Sequence, residues 1–474
     1  MKKLINFLLI GVLIYTLITP TEAYAASWPA TPTLDAKGAI IMEVSSGTIL
    51  YSKNMNKKYY PASITKIMMT LVALENSSLN ETVTISQNAI DKIGYDAANM
   101  SVVAGEKISM KDALYGAMLK SANELCNAVA EHIAGSIDAF VTMMNAKAKE
   151  LGCKNTHFVT TNGLHDDNHY TTAYDYALIS RAAFQNEAFR KIAGTEKYTI
   201  GKTNKCNYKR TFSNHHQMLV GGKYSKKYKG CLGGKTGFTT PASNTLVTYA
   251  TKNNVEYVIV ILKAKSTSTK PGLSMQYDDT KKLIAEASKN FTKHSIVKNE
   301  GNNLKEDFVS FNKYFNLETK NNTGYISIDK TSSIILPNKV KFSSAKKKVN
   351  FNDNPDIVSG DNIIGNIKYT YDGKQVGKVD IIMKYYPKSK VTNITLPEEM
   401  LNYSLLLSDT NSNKVVEKTK SAFFQIFIIF VIVGIALILL FYFKINTARK
   451  RRRRAYRSRR KRSRITFDNK DLRL

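Results

Sequence analysis

The stretch YYPASITKIMMTLVALE, Tyr59–Glu75, decides how the rest of the chain is read. From Ile64 to Leu74 it is apolar on nearly every side, as a helix buried in a core must be, and Pro61 just ahead is a start signal. Inside that helix stands Lys66. A buried ammonium is costly and either sheds its proton or finds a partner. Lys66 follows Ser63 by three residues, and positions i and i+3 share a helix face. Two readings result: an amine held partly dry beside a hydroxyl that it can deprotonate, or a lysine that snorkels to the helix edge. This stretch alone leaves both open.

Outward from it, short apolar runs at Ala39–Val44 and Ile49–Ser52 surround Ser45-Ser46-Gly47-Thr48 and predict a β-hairpin. Helical periodicity marks Lys111–Leu119, Glu124–Ala134, Ile137–Leu151 and Tyr174–Asn186. Strand patterns return at Thr245–Thr251 and Val255–Ala264 around the turn residues Asn253 and Asn254, and Asp278–Phe291 closes the region as an amphipathic helix. Strands at both ends with helices between them imply one sheet assembled from distant parts of the chain and covered by helices, an α/β domain over residues 26–294. Around 295–305 the composition turns to Lys, Asn, Glu and Gly, which reads as a linker. Alternating residues in Tyr325–Ile328, Ser333–Leu336 and Gly365–Tyr371, with the hairpin turn Tyr371-Asp372-Gly373-Lys374, predict a small all-β domain over 305–392. A polar stalk, 393–422, follows.

The two ends of the chain carry addresses. Residues 1–25 have Lys2 and Lys3, an apolar run Leu4–Leu17 and Ala23-Tyr24-Ala25, the pattern of a secretory signal peptide cleaved before Ala26. Phe423–Phe443 contains one strongly polar side chain, Gln425, and is long enough for a transmembrane helix. Residues 444–474 then carry 15 Lys/Arg against 2 Asp/Glu. A basic cluster abutting a span stays in the cytoplasm, so the body is expected outside, anchored to the cell membrane by a single pass. The net charge of +31 is therefore explained by topology and anionic surroundings, with no nucleic acid as partner. Of four cysteines, Cys126 and Cys153 lie in apolar helical patterns as packed thiols. Cys206 and Cys231 form the pair left to test for a bridge.

Three short motifs carry chemistry. Ser-x-x-Lys recurs in this chain, for instance at Ser295 and Ser343, but only Ser63 opens a hydrophobic helix, whose N-terminus can stabilise an oxyanion while its packing desolvates the lysine. Ser121-Ala122-Asn123 sits between two helical patterns, where a loop can point side chains into a cleft. Gly233-Gly234-Lys235-Thr236-Gly237-Phe238 precedes a strand pattern. Its glycines let a ligand approach the backbone, and Lys235 with Thr236 suits a carboxylate.

In this order, Ser-x-x-Lys, Ser-x-Asn and Lys-Thr-Gly resemble the signature set of penicillin-binding proteins and class A β-lactamases. Tyr60-Pro61-Ala62-Ser63-Ile64-Thr65-Lys66, Thr161-Asn162-Gly163-Leu164, His169-Tyr170-Thr171-Thr172-Ala173-Tyr174-Asp175 and Gly234-Lys235-Thr236-Gly237 narrow the likeness to the low-molecular-mass D-alanyl-D-alanine carboxypeptidases, over about Ala36–Phe291. The resemblance implies a β-lactamase/DD-peptidase-like antiparallel sheet flanked by helices, a peptidoglycan pentapeptide substrate, acylation by β-lactams and no cofactor. It implies that Ser63 attacks the carbonyl between two D-alanines, that neutral Lys66 takes its proton, and that Ser121 relays a proton to the leaving amine. Asn123 then holds the substrate backbone, and Lys235 and Thr236 hold its carboxylate. The N–H groups of Ser63 and Phe238 form the oxyanion hole beside Gly237.

This chain departs from the family pattern at three positions. Phe238 stands where the family has histidine, Ala122 where many members have glycine, and Gln276 where arginine is expected. Two rival functions use the same motifs. A β-lactamase needs a deacylating base, and its Glu-x-x-Leu-Asn pattern is absent; a slow-turnover penicillin-binding sensor needs an output domain larger than the short basic tail. His165, Asp166, Asp167 and His169 also invite a zinc reading, but Ser-Lys chemistry needs no metal and none is expected.

Overall fold

The computed structural model describes residues 27–265, 275–301, 304, 322–352 and 357–387. The expected signal peptide, stalk, transmembrane helix and basic tail lie outside these residues. Among the described residues no helix is long and apolar enough to cross a membrane.

Two-residue alternation builds the main sheet. It is antiparallel, in the order β2-β1-β9-β8-β7, from β1 (Gly38–Glu43), β2 (Ile49–Lys53), β7 (Cys231–Thr239), β8 (Ser243–Lys252) and β9 (Val255–Ala264). Ile40 of β1 faces Val260 of β9, which faces Val247 of β8, so one row of branched side chains crosses three strands. Ile40, Val247, Val258 and Val260 join the helical core on one face. Ala39, Leu246, Ile259 and Ile261 join Tyr277, Leu283 and Ile284 of the helix Met275–Asn290 on the other. Each such valine, leucine or isoleucine, fully withdrawn from water, contributes about 1.5–3 kcal/mol before the entropy of ordering it. Two faces buried in this way account for the near-continuous apolar run of β9. The first helical layer contains Lys66–Asn76, buried from Lys66 to Ala73. It packs among Asn123–Ala134, Ile137–Glu150 and Ala173–Gln185.

Short ribbons β3 (Thr82–Thr84) with β4 (Lys107–Ser109), and β5 (Lys197–Ile200) with β6 (Arg210–Ser213), flank this layer. After the helix Met275–Asn290 the chain continues as β10 (Phe291–Ser295), paired with β12 (Ser333–Pro337). The stretch that read as a linker opens with a short helix, Ile296–Glu300, because Ser295 Oγ accepts the Lys298 N–H at 3.3 Å as its cap. A second antiparallel sheet runs β11-β15-β14-β13, from β11 (Asn322–Ile328), β13 (Lys346–Phe351), β14 (Gly360–Tyr371) and β15 (Lys374–Pro387). Asp372 and Gly373 both take positive φ, 49° and 68°, the turn that an Asp-Gly pair predicts between β14 and β15.

One local expectation needs correcting and another gains detail. The predicted helix Lys111–Leu119 is a helix only over Met110–Tyr115 and then widens into a π-helical turn, Gly116–Lys120. The Lys-Thr-Gly triplet does precede a strand, β8, and it also lies inside one of its own, β7, at the edge of the main sheet.

Candidate active site

Ser63 sits in a single 3-10 turn, Ala62–Thr65, and the regular helix begins at Lys66. Three contacts hold this turn. Ala62 takes φ +53°, a left-handed conformation that alanine adopts only when its surroundings impose it. Thr245 Oγ1 on β8 donates to Pro61 O at 2.8 Å, and Tyr176 Oη donates to Ile64 O. Behind the turn, Thr65 Oγ1 donates to Ala62 O at 2.8 Å and lies 2.9 Å from His169 Nε2. His169 Nδ1 accepts the N–H groups of Val159 and Thr160, so Nε2 carries the proton and donates to Thr65. Burial keeps this histidine neutral, pushing its pKa down to about 3.

Lys66 is fully buried, and its Nζ has three neighbours: Asn162 O at 2.6 Å, Asn123 Oδ1 at 2.7 Å and Ser63 Oγ at 3.0 Å. Asn123 Nδ2 donates to Ala98 O at 2.9 Å, which fixes the amide with its oxygen toward the lysine. A neutral amine has two N–H donors and one lone pair. The two carbonyl oxygens take both donors, and the lone pair is left facing the Ser63 hydroxyl. Burial lowers the Lys66 pKa to about 8, opposed in part by Cys126 and Glu124. Burial also pushes Cys126 up to about 11, so it stays a thiol near neutrality and Glu124 is the group left to offer negative charge. The snorkelling alternative fails because the amine has no solvent to reach.

The π-helical turn has a purpose here. Ser121 N donates back to Gly116 O, and Ser121 leaves the turn at φ +64°, re-aimed out of the helix path. Its Oγ accepts from Lys235 Nζ at 3.2 Å, and Lys235 also donates to Thr236 O at 2.8 Å. Lys235 is buried, and burial with the neighbouring Lys66 pushes its pKa well down. On β7, a Cβ added at Gly237 would stand 2.4 Å from Thr245 Oγ1 and 2.9 Å from Ser63 N. Only glycine lets the strand run this close to the serine. The next residue, Phe238, is 57% exposed, and Thr236 is half-buried beside the two buried positions.

The structure thus brings Ser63, Lys66 and Asn123 into one cluster, Ser121 and Lys235 into a second, and sets Gly237 against the first. Gln276 is buried near the start of its helix. Sequence reasoning assigned no role to Asn162, although it quoted the surrounding motif; a backbone carbonyl leaves no side-chain signature. It also missed Thr245 and Glu124, whose Oε1 accepts the Met100 N–H at 2.6 Å while Asn123 N donates to Ala98 O, pinning the 98–100 segment against the Ser-x-Asn loop. All four cysteines are free thiols. Cys206 Sγ faces Tyr208 O, and Cys231 Sγ lies 3.9 Å from His216 Nδ1, so the pair left for testing is not bridged.

The family pattern of D-alanyl-D-alanine carboxypeptidases matches residues 25–266. The chain is 34% identical over 274 residues to the D-alanyl-D-alanine carboxypeptidase DacF of Bacillus subtilis, covering 56% of this chain and 67% of that one. It is 26% identical over 364 residues to DacA of Escherichia coli, covering 75% and 84%. Among solved structures, the DD-transpeptidase of Streptomyces K15 aligns over 54% of this chain and 98% of that chain, with 29% identity and a TM-score of 0.49.

Proposed function

The chain belongs to the D-alanyl-D-alanine carboxypeptidase family and is a serine-type hydrolase of that class, and from this premise we propose how its residues divide the work. Ser63 Oγ attacks the carbonyl carbon of the terminal D-Ala–D-Ala bond, and its proton passes to the Lys66 lone pair. Lys66 then has three N–H donors for three acceptors: Asn162 O, Asn123 Oδ1 and the ester oxygen of residue 63. The N–H groups of Ser63 and Phe238 receive the oxyanion that forms between the nucleophile turn and β7. As the tetrahedral intermediate collapses, a proton reaches the leaving amine through Ser121, and D-alanine departs. Water then hydrolyses the acyl-ester by the reverse proton path, releasing the shortened stem peptide of peptidoglycan. Lys235 and Thr236 hold the terminal carboxylate, whose charge draws a proton back onto Lys235. A β-lactam acylates Ser63 by the same steps. The body works outside the cell, tethered by Phe423–Phe443 with the basic tail inside. This topology rests on the signal pattern, the apolar run and the charge asymmetry of the sequence.

One observation carries the chemistry: the buried Lys66 amine spends both neutral-state donors on carbonyls and has its lone pair at Ser63. The test is purified full-length protein incubated with an acyl-D-Ala-D-Ala peptide and, separately, with penicillin. D-alanine should be released over many turnovers, and mass spectrometry should locate the penicilloyl adduct on Ser63. Ser63→Ala should abolish both. A stoichiometric adduct without turnover would replace the hydrolase by a sensor, and an adduct elsewhere would remove Ser63 from its role.

A further inference from the structure

The second sheet has an outward face that its own stability does not explain. Lys348 on β13 lies directly opposite Lys368 on β14, which lies directly opposite Lys378 on β15. Three lysines therefore stand in one row across three adjacent strands, about 5 Å apart from strand to strand. Like charges facing one another across strands are destabilising. Lys346, two residues from Lys348 along β13, points from the same face and is exposed, as are Lys348 and Lys378. Among the described residues no carboxylate forms an ion pair with Lys346, Lys348 or Lys368, while Lys378 meets Asp380 at 3.3 Å.

The same face changes character toward its other end. Ile363 on β14 faces Ile382 on β15, on the side opposite the buried Ile364 and Ile381. Ile363 is 57% exposed, and Val358, in the loop that leads into β14, is 62% exposed. Cationic row and apolar pair are separated by a few strand residues, roughly 15 Å.

We propose that this face of the β13–β14–β15 sheet docks on an anionic lipid bilayer, with the lysine row on the headgroups and Ile363 and Ile382 at the interface. The reading rests on the membrane attachment proposed above. The sheet ends at Pro387, and residues 388–422, which follow it, can span at most about 120 Å before Phe423, so the sheet always lies within reach of the surface. The charge selects an anionic partner. Exposed Ile363, with half-buried Ile382 beside it and exposed Val358 in the loop before β14, selects the bilayer over a soluble phosphodiester polymer, which offers charge without an apolar layer. Docking would hold the small sheet flat on the surface instead of leaving it as a free spacer.

The experiment uses the full chain reconstituted into vesicles of phosphatidylcholine alone or with about a third phosphatidylglycerol, and reads the acetylation rate of each lysine by mass spectrometry. Lys346, Lys348, Lys368 and Lys378 should be modified several-fold more slowly in anionic vesicles, with exposed Lys92 and Lys111 of the catalytic domain unchanged. About 0.5 M salt should erase the difference. Each Lys→Glu change in the row should weaken the protection about fivefold or more, and Ile363→Asp should weaken it at constant lysine charge. These surface variants should keep wild-type penicillin acylation. Equal labelling in both vesicles overturns the proposal, as does protection produced in neutral vesicles by an added phosphodiester polymer. Flotation with neutral vesicles tests the anchor separately: a chain that fails to float there has no span, while protection by anionic lipid stays readable.

Discussion

The Lys66 amine sets a pH profile that can be computed before it is measured. With its pKa lowered by burial to about 8, roughly a tenth of the molecules carry neutral Lys66 at pH 7 and roughly nine-tenths at pH 9. An ordinary lysine would be neutral in only about 0.03% of molecules at pH 7, so desolvation raises the competent fraction on the order of 300-fold, equivalent to about 3 kcal/mol. The second-order rate of acylation by a fluorescent penicillin should therefore rise about tenfold from pH 7 to 9, with unit slope below pH 8 and a plateau above it. Asn123→Asp sharpens the test. It places a carboxylate where the amide oxygen now lies 2.7 Å from Nζ, which favours the ammonium and should move the midpoint up by about 1–3 units. A rate that is flat or falling between pH 7 and 9, or an Asn123→Asp midpoint that stays in place, would refute the argument that a neutral lysine is the base.

Three other perturbations address the surroundings. In Gly163→Ala, the new Cβ meets Ala62 O at 2.0 Å in a backbone at φ +85°, so melting should show a loss of about 2–4 kcal/mol and penicillin labelling of Ser63 should drop with it. His169→Phe strands the N–H groups of Val159 and Thr160 and should cost about 2–4 kcal/mol in denaturant titration. Because the folded His169 pKa, about 3, is below the unfolded value near 6.5, the unfolded chain binds the extra proton between them. Wild-type stability should thus fall as the pH drops from about 6.5 toward 3, and the gap to His169→Phe should narrow in that window. The Lys235 pKa is depressed by burial and by Lys66, so a peptide carboxylate arriving beside it should restore its proton. Calorimetry of a substrate analogue with Ser63→Ala, in buffers of different ionisation enthalpy, should report net proton uptake that disappears in Lys235→Met.

How much of this was legible in the sequence depends on where each signal resides. Ser63 and Lys66 were readable because three-residue spacing and a wholly apolar helix are side-chain patterns, and the strands β8 and β9 were readable for the same reason. The place of Ser121 between two helices was readable too, but the π-helical turn that aims it was not, since such a turn differs from an α-helix by one hydrogen-bond register that no residue type announces. Lys-Thr-Gly was rightly placed ahead of a strand, and its glycines were read as room for a ligand at the backbone; that the triplet is itself a strand was not visible. In the fold they are the condition for β7 to lie against Ser63. Asn162 contributes its backbone oxygen, Thr245 a hydroxyl from a distant strand, and Glu124 a clamp on a loop. Each depends on tertiary proximity that local periodicity does not encode.

The pairing of Gly38 with Leu262, and of Thr245 with the carbonyl of Pro61, carries a consequence for the life of the nascent chain. Contacts between such remote segments form late, after the loop between them has closed. The reactive hydroxyl is synthesised early, but β7 and β8, which enclose its turn, come much later in the chain. A chain cut before β8 lacks the hydroxyl that steadies the nucleophile turn, so its Ser63 should stand unaimed and untouched by penicillin.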